Sequence, residues 1–136
     1  AAYQEILTSF VGSNPETFGG GIWFEPYQYR PEQRYFSPYC MRQNGAVTYV
    51  DNYSLGEGVY YTDQDWYTNA ANTTQKSVWS APYYDEFAQI SMVTSSAPIY
   101  DETGRLLGVA TADIDLTQMQ QMVLSLDVVA TAVLSD

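Results

Sequence analysis

Apolar and polar positions alternate with two different periods along this chain, and the switches between them mark its elements. Over residues 2–11 the apolar side chains Ile6, Leu7, Phe10 and Val11 return at helical spacing, which predicts a short amphipathic helix. Gly12-Ser-Asn-Pro15 ends it. Phe18 and three glycines then lead into Ile22-Trp-Phe-Glu25, a first strand. A loop rich in Tyr, Pro and Arg covers residues 26–34. Residues 35–42 and 46–53 read as two strands joined across Gln43-Asn44-Gly45, because Asn-Gly tolerates the positive φ of a tight hairpin turn. Leu55-Gly-Glu-Gly58 is a flexible connection. Thr62-Asp-Gln-Asp65 has capping-box spacing and predicts a helix through Trp66, Tyr67 and Ala70 to about Asn72.

The period of two then returns, over residues 77–84, 89–99 and 106–114, giving three consecutive strands. Asp101-Glu-Thr-Gly-Arg105 is a tight turn, with Gly104 where positive φ is needed. Asp115 with Gln118 has the spacing of a second capping box. The helix it starts is expected to bury Leu116, Met119, Val123 and Leu126. Residues 128–134 read as β-prone, the first strand of a following unit. No internal repeat or low-complexity tract is visible. This order predicts an α+β fold: an antiparallel sheet of about five to six strands flanked by helices, with a cavity between sheet and cover.

Composition narrows the chemistry. One hundred and thirty-six residues fit one domain with a real core. Sixteen acidic against five basic residues leave no basic stripe for phosphates, so nucleic acid is excluded as a partner. Acidity of this kind maintains solubility and draws cations over the surface. The absence of histidine removes Ser-His and Cys-His catalysis and His-ligated metals. The single Cys40 reads as a small buried hydrophobe, with neither a disulfide partner nor a zinc set. Asp113 and Asp115 could form a carboxylate pair of the glycosidase kind, but Asp115 is better read as a helix cap. Asp85, Glu86, Asp101 and Glu102 could gather round Ca²⁺, though without EF-hand spacing, and Asp101 reads as a turn former. The chain is therefore expected to be a ligand-binding module rather than an enzyme, with no cofactor. Its abrupt ends lead to the expectation that it is part of a longer protein.

The residues suited to a ligand are aromatic and acidic. Val109, Thr111 and Asp113 share one face of the last strand, and a carboxylate buried there is costly unless it meets a donor or a cation. Tyr83 and Asp85 share a face of an earlier strand. With Trp66 and Tyr67 this inventory suits a cationic amine: each aromatic face contributes about 0.5–2 kcal/mol, and each hydrogen bond between carboxylate and ammonium roughly 1.5–3 kcal/mol. A structural ion pair is the other reading of Asp85 and Asp113. Trp79 and Tyr84 are expected to be core residues.

Trp66-Tyr67, Trp79-Ser-Ala-Pro-Tyr-Tyr-Asp85, Ala97-Pro-Ile-Tyr-Asp-Glu-Thr-Gly104 and Leu107-Gly-Val-Ala-Thr-Ala-Asp-Ile-Asp-Leu116 together resemble the Cache family. These are PAS-like extracytoplasmic sensors, and the closer resemblance is to the membrane-distal module of a double Cache domain. In the amino-acid-binding variant, the resemblance implies that Trp66 and Tyr67 line the pocket from the short helix. Tyr83, Asp85 and Asp113 would hold the ligand's amino group. The arginine that grips a ligand carboxylate is replaced by Gln64. The upstream tyrosine falls on Val59, with Tyr60 and Tyr61 beside it. Tyr61, Gln64 and Thr111 complete the expected site. A neutral amide is a poor substitute for a bidentate guanidinium. The expected ligand is thus a small amine, a quaternary ammonium compound or an amino acid, with amines lacking an essential carboxylate favoured. Arg30, Arg34 and Arg42 are the candidates to supply the missing charge.

The resemblance further implies a membrane-anchored parent, homodimeric in the full receptor, with this part outside the plasma membrane. Residues 1–17 would end the N-terminal signalling helix and its loop, 18–124 form the sensor, and 125–136 connect to a second module. A histidine kinase is the favoured output, with a chemoreceptor, cyclase or phosphatase as the others. The competing class is a secreted or adhesion module, without a signalling role, that binds carbohydrate or Ca²⁺.

Overall fold

In the computed structural model, residues 2–53 and 55–134 are described, and the side chains of Gln118 and Met122 lie outside the described set. The N-terminal helix α1 (Ala2–Ser13) buries Leu7 and Val11 on the sheet, while Ile6 and Phe10 remain exposed at its edge, the Phe10 ring lying over Gly20. Its last carbonyls have no intrahelical donors. Arg42 supplies one, its Nη2 reaching Val11 O at 2.5 Å, and ties the following loop to the sheet through Asn14 O at 3.1 Å and, from its Nε, Thr17 O at 2.9 Å.

Seven antiparallel strands follow: β1 (Gly19–Phe24), β2 (Tyr39–Gln43), β3 (Ala46–Val50), β4 (Val78–Trp79), β5 (Tyr83–Asp85), β6 (Ile90–Tyr100) and β7 (Leu106–Asp115). Their spatial order is β3-β2-β1-β7-β6-β4, with β5 also paired to β6. The β2–β3 hairpin closes with Gln43 opposite Ala46, and Asn44 and Gly45 take φ of 52° and 81°, as Asn-Gly predicts. Strand β2 is shorter than residues 35–42, yet Phe24 N still bonds Phe36 O at 3.1 Å and Ile22 N bonds Pro38 O at 3.0 Å. Strand β1 begins three residues early because Gly19 to Gly21 pair with both β2 and β7.

The strand expected over residues 77–84 is broken in two. Trp79 lies opposite Ser95 and Tyr83 opposite Met92, so four steps on one strand meet three on the other. Pro82 has no N–H to give the ladder. Ser80 fills the gap, its N bonding Thr94 O at 2.8 Å and its Oγ accepting from Thr94 N at 2.9 Å. One extra residue reverses the faces on either side of it. Trp79 is consequently 61% exposed and Tyr84 53% exposed, which corrects their assignment to the core.

Helix α2 (Asp65–Ala71) is preceded by a 3₁₀ turn (Tyr61–Asp63), and its N-cap is Gln64, with no side-chain bond. Thr62 lies inside that turn, so the capping box read at Thr62 and Asp65 does not form. Helix α3 (Leu116–Leu134) is capped by Asp115, whose Oδ1 accepts from Thr117 N at 2.8 Å; the Gln118 half of that box lies outside the described side chains. The helix runs through residues 128–134, correcting the β assignment. Their valines weaken a helix by only tenths of a kcal/mol each, and among the described residues no strand pairs with them. Met119, Val123 and Leu126, expected inside, are exposed.

Helix α1 covers one face of the sheet, and α2 with the 3₁₀ turn covers the other. Between the latter and the sheet lies the core of Trp23, Tyr39, Met41, Tyr61, Trp66, Tyr67 and Val109.

Candidate functional site

The strand register sets two rows of side chains on the α2 side. Thr94, Asp113 and Gly19 lie side by side on β6, β7 and β1, and the next row is Ser96, Thr111 and Gly21, with Tyr39 beyond on β2. The glycines decide what happens next. A Cβ at Gly19 would collide with Tyr39 Oη, and one at Gly21 would lie 2.8 Å from Tyr39 Cδ2. With neither present, the Tyr39 ring crosses β1 and its hydroxyl donates to Asp113 Oδ2.

Asp113 is 4% exposed. Its Oδ1 accepts from Thr94 Oγ1 at 2.7 Å, and Tyr83 donates in turn to Thr94 Oγ1 at 2.5 Å. Burial pushes the Asp113 carboxyl up to about 6 against the pull of these donors, and the like charge of Asp85 adds to the rise. Asp85 is 2% exposed; its Oδ1 accepts from Ala88 N at 2.7 Å and its Oδ2 from the Tyr53 hydroxyl. The phenols of Tyr39, Tyr53 and Tyr83 are all pushed up, by burial first and then by the adjacent carboxylates.

Trp66, Tyr83, Thr111 and Asp113, four of the residues singled out from the sequence, close round one void with Trp23, Tyr53 and Thr94. Trp23 Nε1 donates to Thr111 Oγ1 at 2.7 Å across its floor. The void is too tight to admit a water molecule. Larger spaces flank it. One of ≈ 290 Å³, behind Trp66 and Tyr83, is also lined by Asp63, Gln64, Asp65 and Tyr84. The other, of ≈ 300 Å³, lies behind Tyr53 and is also lined by Tyr35, Ser37, Asp51, Asn52, Tyr60 and Tyr61.

The remaining predicted residues are dispersed. Gln64 lines the first flanking space and Tyr61 the second, with the Tyr61 hydroxyl on Phe24 O at 2.5 Å. Tyr67 lines none of these spaces: it is 2% exposed in the core and donates to Glu25 Oε2. No Arg or Lys is among the described residues lining the three spaces. Arg42 is committed to α1, Arg30 lies over Tyr29 at 5.0 Å, and Arg34 lies over Tyr35 at 4.9 Å and Tyr60 at 5.4 Å. The grouping of Asp85, Glu86, Asp101 and Glu102 is not formed. Asp101 instead closes its own turn through Thr103 and Arg105, and the described residues contain no cluster able to hold a metal.

Sequence reasoning missed Tyr39, Tyr53, Thr94 and Trp23. The signal for Tyr39 was the glycine run itself, which in a strand marks a close approach.

A family model for the first PDC sensor domain of methyl-accepting chemotaxis protein-like receptors matches residues 3–121. Methyl-accepting chemotaxis protein McpC of Bacillus subtilis (strain 168) is 39% identical over 62 residues, covering 46% of this chain and 9% of McpC. The extracellular domain of a protein named as histidine kinase soHK1S-Z6 is similar in structure, with a TM-score of 0.70 and 31% identity over 87% of this chain and 44% of that one. The ligand-binding domain of the Campylobacter jejuni chemoreceptor Tlp3, in complex with 4-methylisoleucine, shares the fold at TM-score 0.63 and 18% identity, over 86% and 40% of the two chains. The chain thus spans less than half the length of each of these relatives. Among its described residues no helix is long and apolar enough to cross a membrane. With an α+β antiparallel fold and a match over most of its length, the chain belongs to the methyl-accepting chemotaxis protein-like first PDC sensor domains, the Cache-type extracellular sensors found in chemoreceptors and histidine kinases.

Proposed function

We propose that this domain senses a small protonated amine, held through Asp113 and Asp85 against Trp66 and Tyr83. The observation that carries this reading is a pair of carboxylates 4% and 2% exposed that meet phenol, hydroxyl and amide donors and, among the described residues, no cation. Buried anions of this kind favour an ammonium strongly once the ion is desolvated with them. The Tlp3 domain holds an amino acid, whose carboxylate needs a partner as well. Here the space beside Trp66 presents Gln64 between Asp63 and Asp65, which repels a carboxylate. The ligand is accordingly an amine without an essential carboxylate.

In this reading residues 18–124 form the sensing unit, α1 is the end of a signalling helix from the membrane, and residues 125–136 lead to a second module. The parent is a membrane-anchored homodimeric receptor with this domain outside the cell membrane. Ligand binding shifts it between two states, which a histidine kinase or another cytoplasmic output reads.

Thermal unfolding with a panel of amines, amino acids, short carboxylates, sugars and Ca²⁺ tests the reading. At about a hundred times its Kd a ligand adds roughly 2.7 kcal/mol of stability. Amines are expected to raise the midpoint by several degrees, and Asp113→Ala and Asp85→Ala to abolish the shift. Amino acids stabilising at least as well as their decarboxylated amines would overturn it.

A further inference from the structure

Among the described residues, Tyr53 is the one side chain that lines both the tight void and the open space of ≈ 300 Å³. Its ring is wedged edge-on against Trp23 at 4.8 Å and lies 5.0 Å from Tyr39 and 4.5 Å from Phe87. Its hydroxyl donates to Asp85 Oδ2, and the other Asp85 oxygen is held by Ala88 N at 2.7 Å. Each Asp85 oxygen therefore has a donor from within the protein, and the void that Tyr53 helps to line has no room for a ligand. A cation that approaches Asp85 Oδ2 from the side of these spaces competes with the Tyr53 phenol for it. The space of ≈ 300 Å³ on the far side of the ring is where the displaced phenol can go.

We propose that Tyr53 is a specificity-determining residue of this site: its hydroxyl occupies the acceptor that a ligand must take, so only ammonium ions carrying N–H bonds are admitted. The inference rests on the amine reading above and goes beyond it by naming the class, protonated amines with at least one N–H bond as opposed to quaternary ammonium compounds. An N–H donor exchanges one charge-assisted hydrogen bond for another. A quaternary ammonium displaces the phenol and returns no donor, leaving an oxygen of a carboxylate 2% exposed without a hydrogen bond. Sites built to hydrogen-bond a ligand reject the isostere that lacks the donor by large factors, because the buried partner is left unpaired.

Isothermal calorimetry of the 136-residue chain with propylamine and propyltrimethylammonium tests this, using the unaltered protein, Tyr53→Phe and Asp85→Asn. The unaltered chain is expected to bind propylamine and to reject the trimethylated form. Tyr53→Phe keeps the ring and removes the competitor, so propylamine binds roughly tenfold tighter or more, the worth of a hydrogen bond to a charged group. Asp85→Asn is expected to lose propylamine binding. Equal affinity of the unaltered chain for both probes overturns the inference without any variant, and so does a Tyr53→Phe protein that binds propylamine no tighter. If Asp85→Asn still loses binding in those cases, the amine reading survives and Tyr53 is only a wall. Propylamine binding that is absent, or unchanged in Asp85→Asn, overturns the amine reading and the inference with it.

Discussion

Asp113 lies under the sheet with a hydroxyl donor on each oxygen and the like charge of Asp85 acting on it, and burial pushes its carboxyl up to about 6. An unfolded chain ionises the same group near about 3.9. Between these values the folded protein binds more protons than the unfolded one, so the contribution of Asp113 to stability falls as pH rises from about 4 to about 6. Above that window the penalty is constant, on the order of 3 kcal/mol for a shift of this size. Asp113→Asn keeps an acceptor for Thr94 and removes the charge. Its expected effect at neutral pH is a gain of up to about 3 kcal/mol in urea unfolding, a flatter acid profile, and loss of amine binding. Ligand affinity runs the opposite way with pH. The ammonium needs the ionised carboxylate, so calorimetric affinity for an amine is expected to fall by up to about tenfold per unit as pH drops below about 6. A flat profile across that range would place the ligand away from Asp113. The residue was legible in the sequence because an acid among small and apolar neighbours on a strand face has few innocent explanations. Its tyrosine donor was not, since Tyr39 is 74 positions away in the chain.

At the scale of elements, Gly19 and Gly21 let Tyr39 lie across β1, and they carry that role through missing volume. An added Cβ at Gly19 would also lie 2.7 Å from Tyr39 Cζ and 2.9 Å from the Cys40 carbonyl, which is backbone and cannot step aside. Gly19→Ala is expected to cost about 2–5 kcal/mol, combining overpacking with the lost Tyr39–Asp113 bond. Gly12→Ala in α1, where a Cβ meets nothing within 4 Å, is the control and is expected to be neutral or stabilising. Arg42 is the other element-scale device. Arg42→Met strips a donor from the Val11 carbonyl in the last turn of α1 and from the Asn14 and Thr17 carbonyls of the loop after it, and is expected to cost about 1–3 kcal/mol in the same assay. The Asn44-Gly45 hairpin and the Asp115 cap were readable because each is decided within a few residues of chain. Trp79 was misread because one extra residue at Ser80-Ala-Pro82 reverses the faces of the strand, and pairing with β6 decides where that residue goes.

Over the whole molecule, the sheet is covered by α1 on one face and α2 on the other, while α3 extends from the end of β7. Leu126, Val128, Val129, Val133 and Leu134 in its distal half are all at least 60% exposed. These residues contribute little to the fold of the domain. Truncation after Leu124 is expected to change unfolding free energy by no more than about 0.5 kcal/mol in urea unfolding. A larger loss would show that the sensing unit extends beyond residue 124.

The sequence by itself determined the α+β class, the hairpin turn, the cap of the last helix and the suspicion attached to Asp113, because each depends on local periodicity or on a few consecutive residues. Tertiary structure decided the rest. It brought Tyr39 over two glycines to Asp113, set Tyr53 on Asp85, and buried Tyr67 in the core with its hydroxyl on Glu25. It also turned Trp79 out to solvent and kept residues 128–134 helical. These outcomes depend on cross-strand register and on which surfaces find a partner, and neither is encoded in the spacing of residues along one strand or helix.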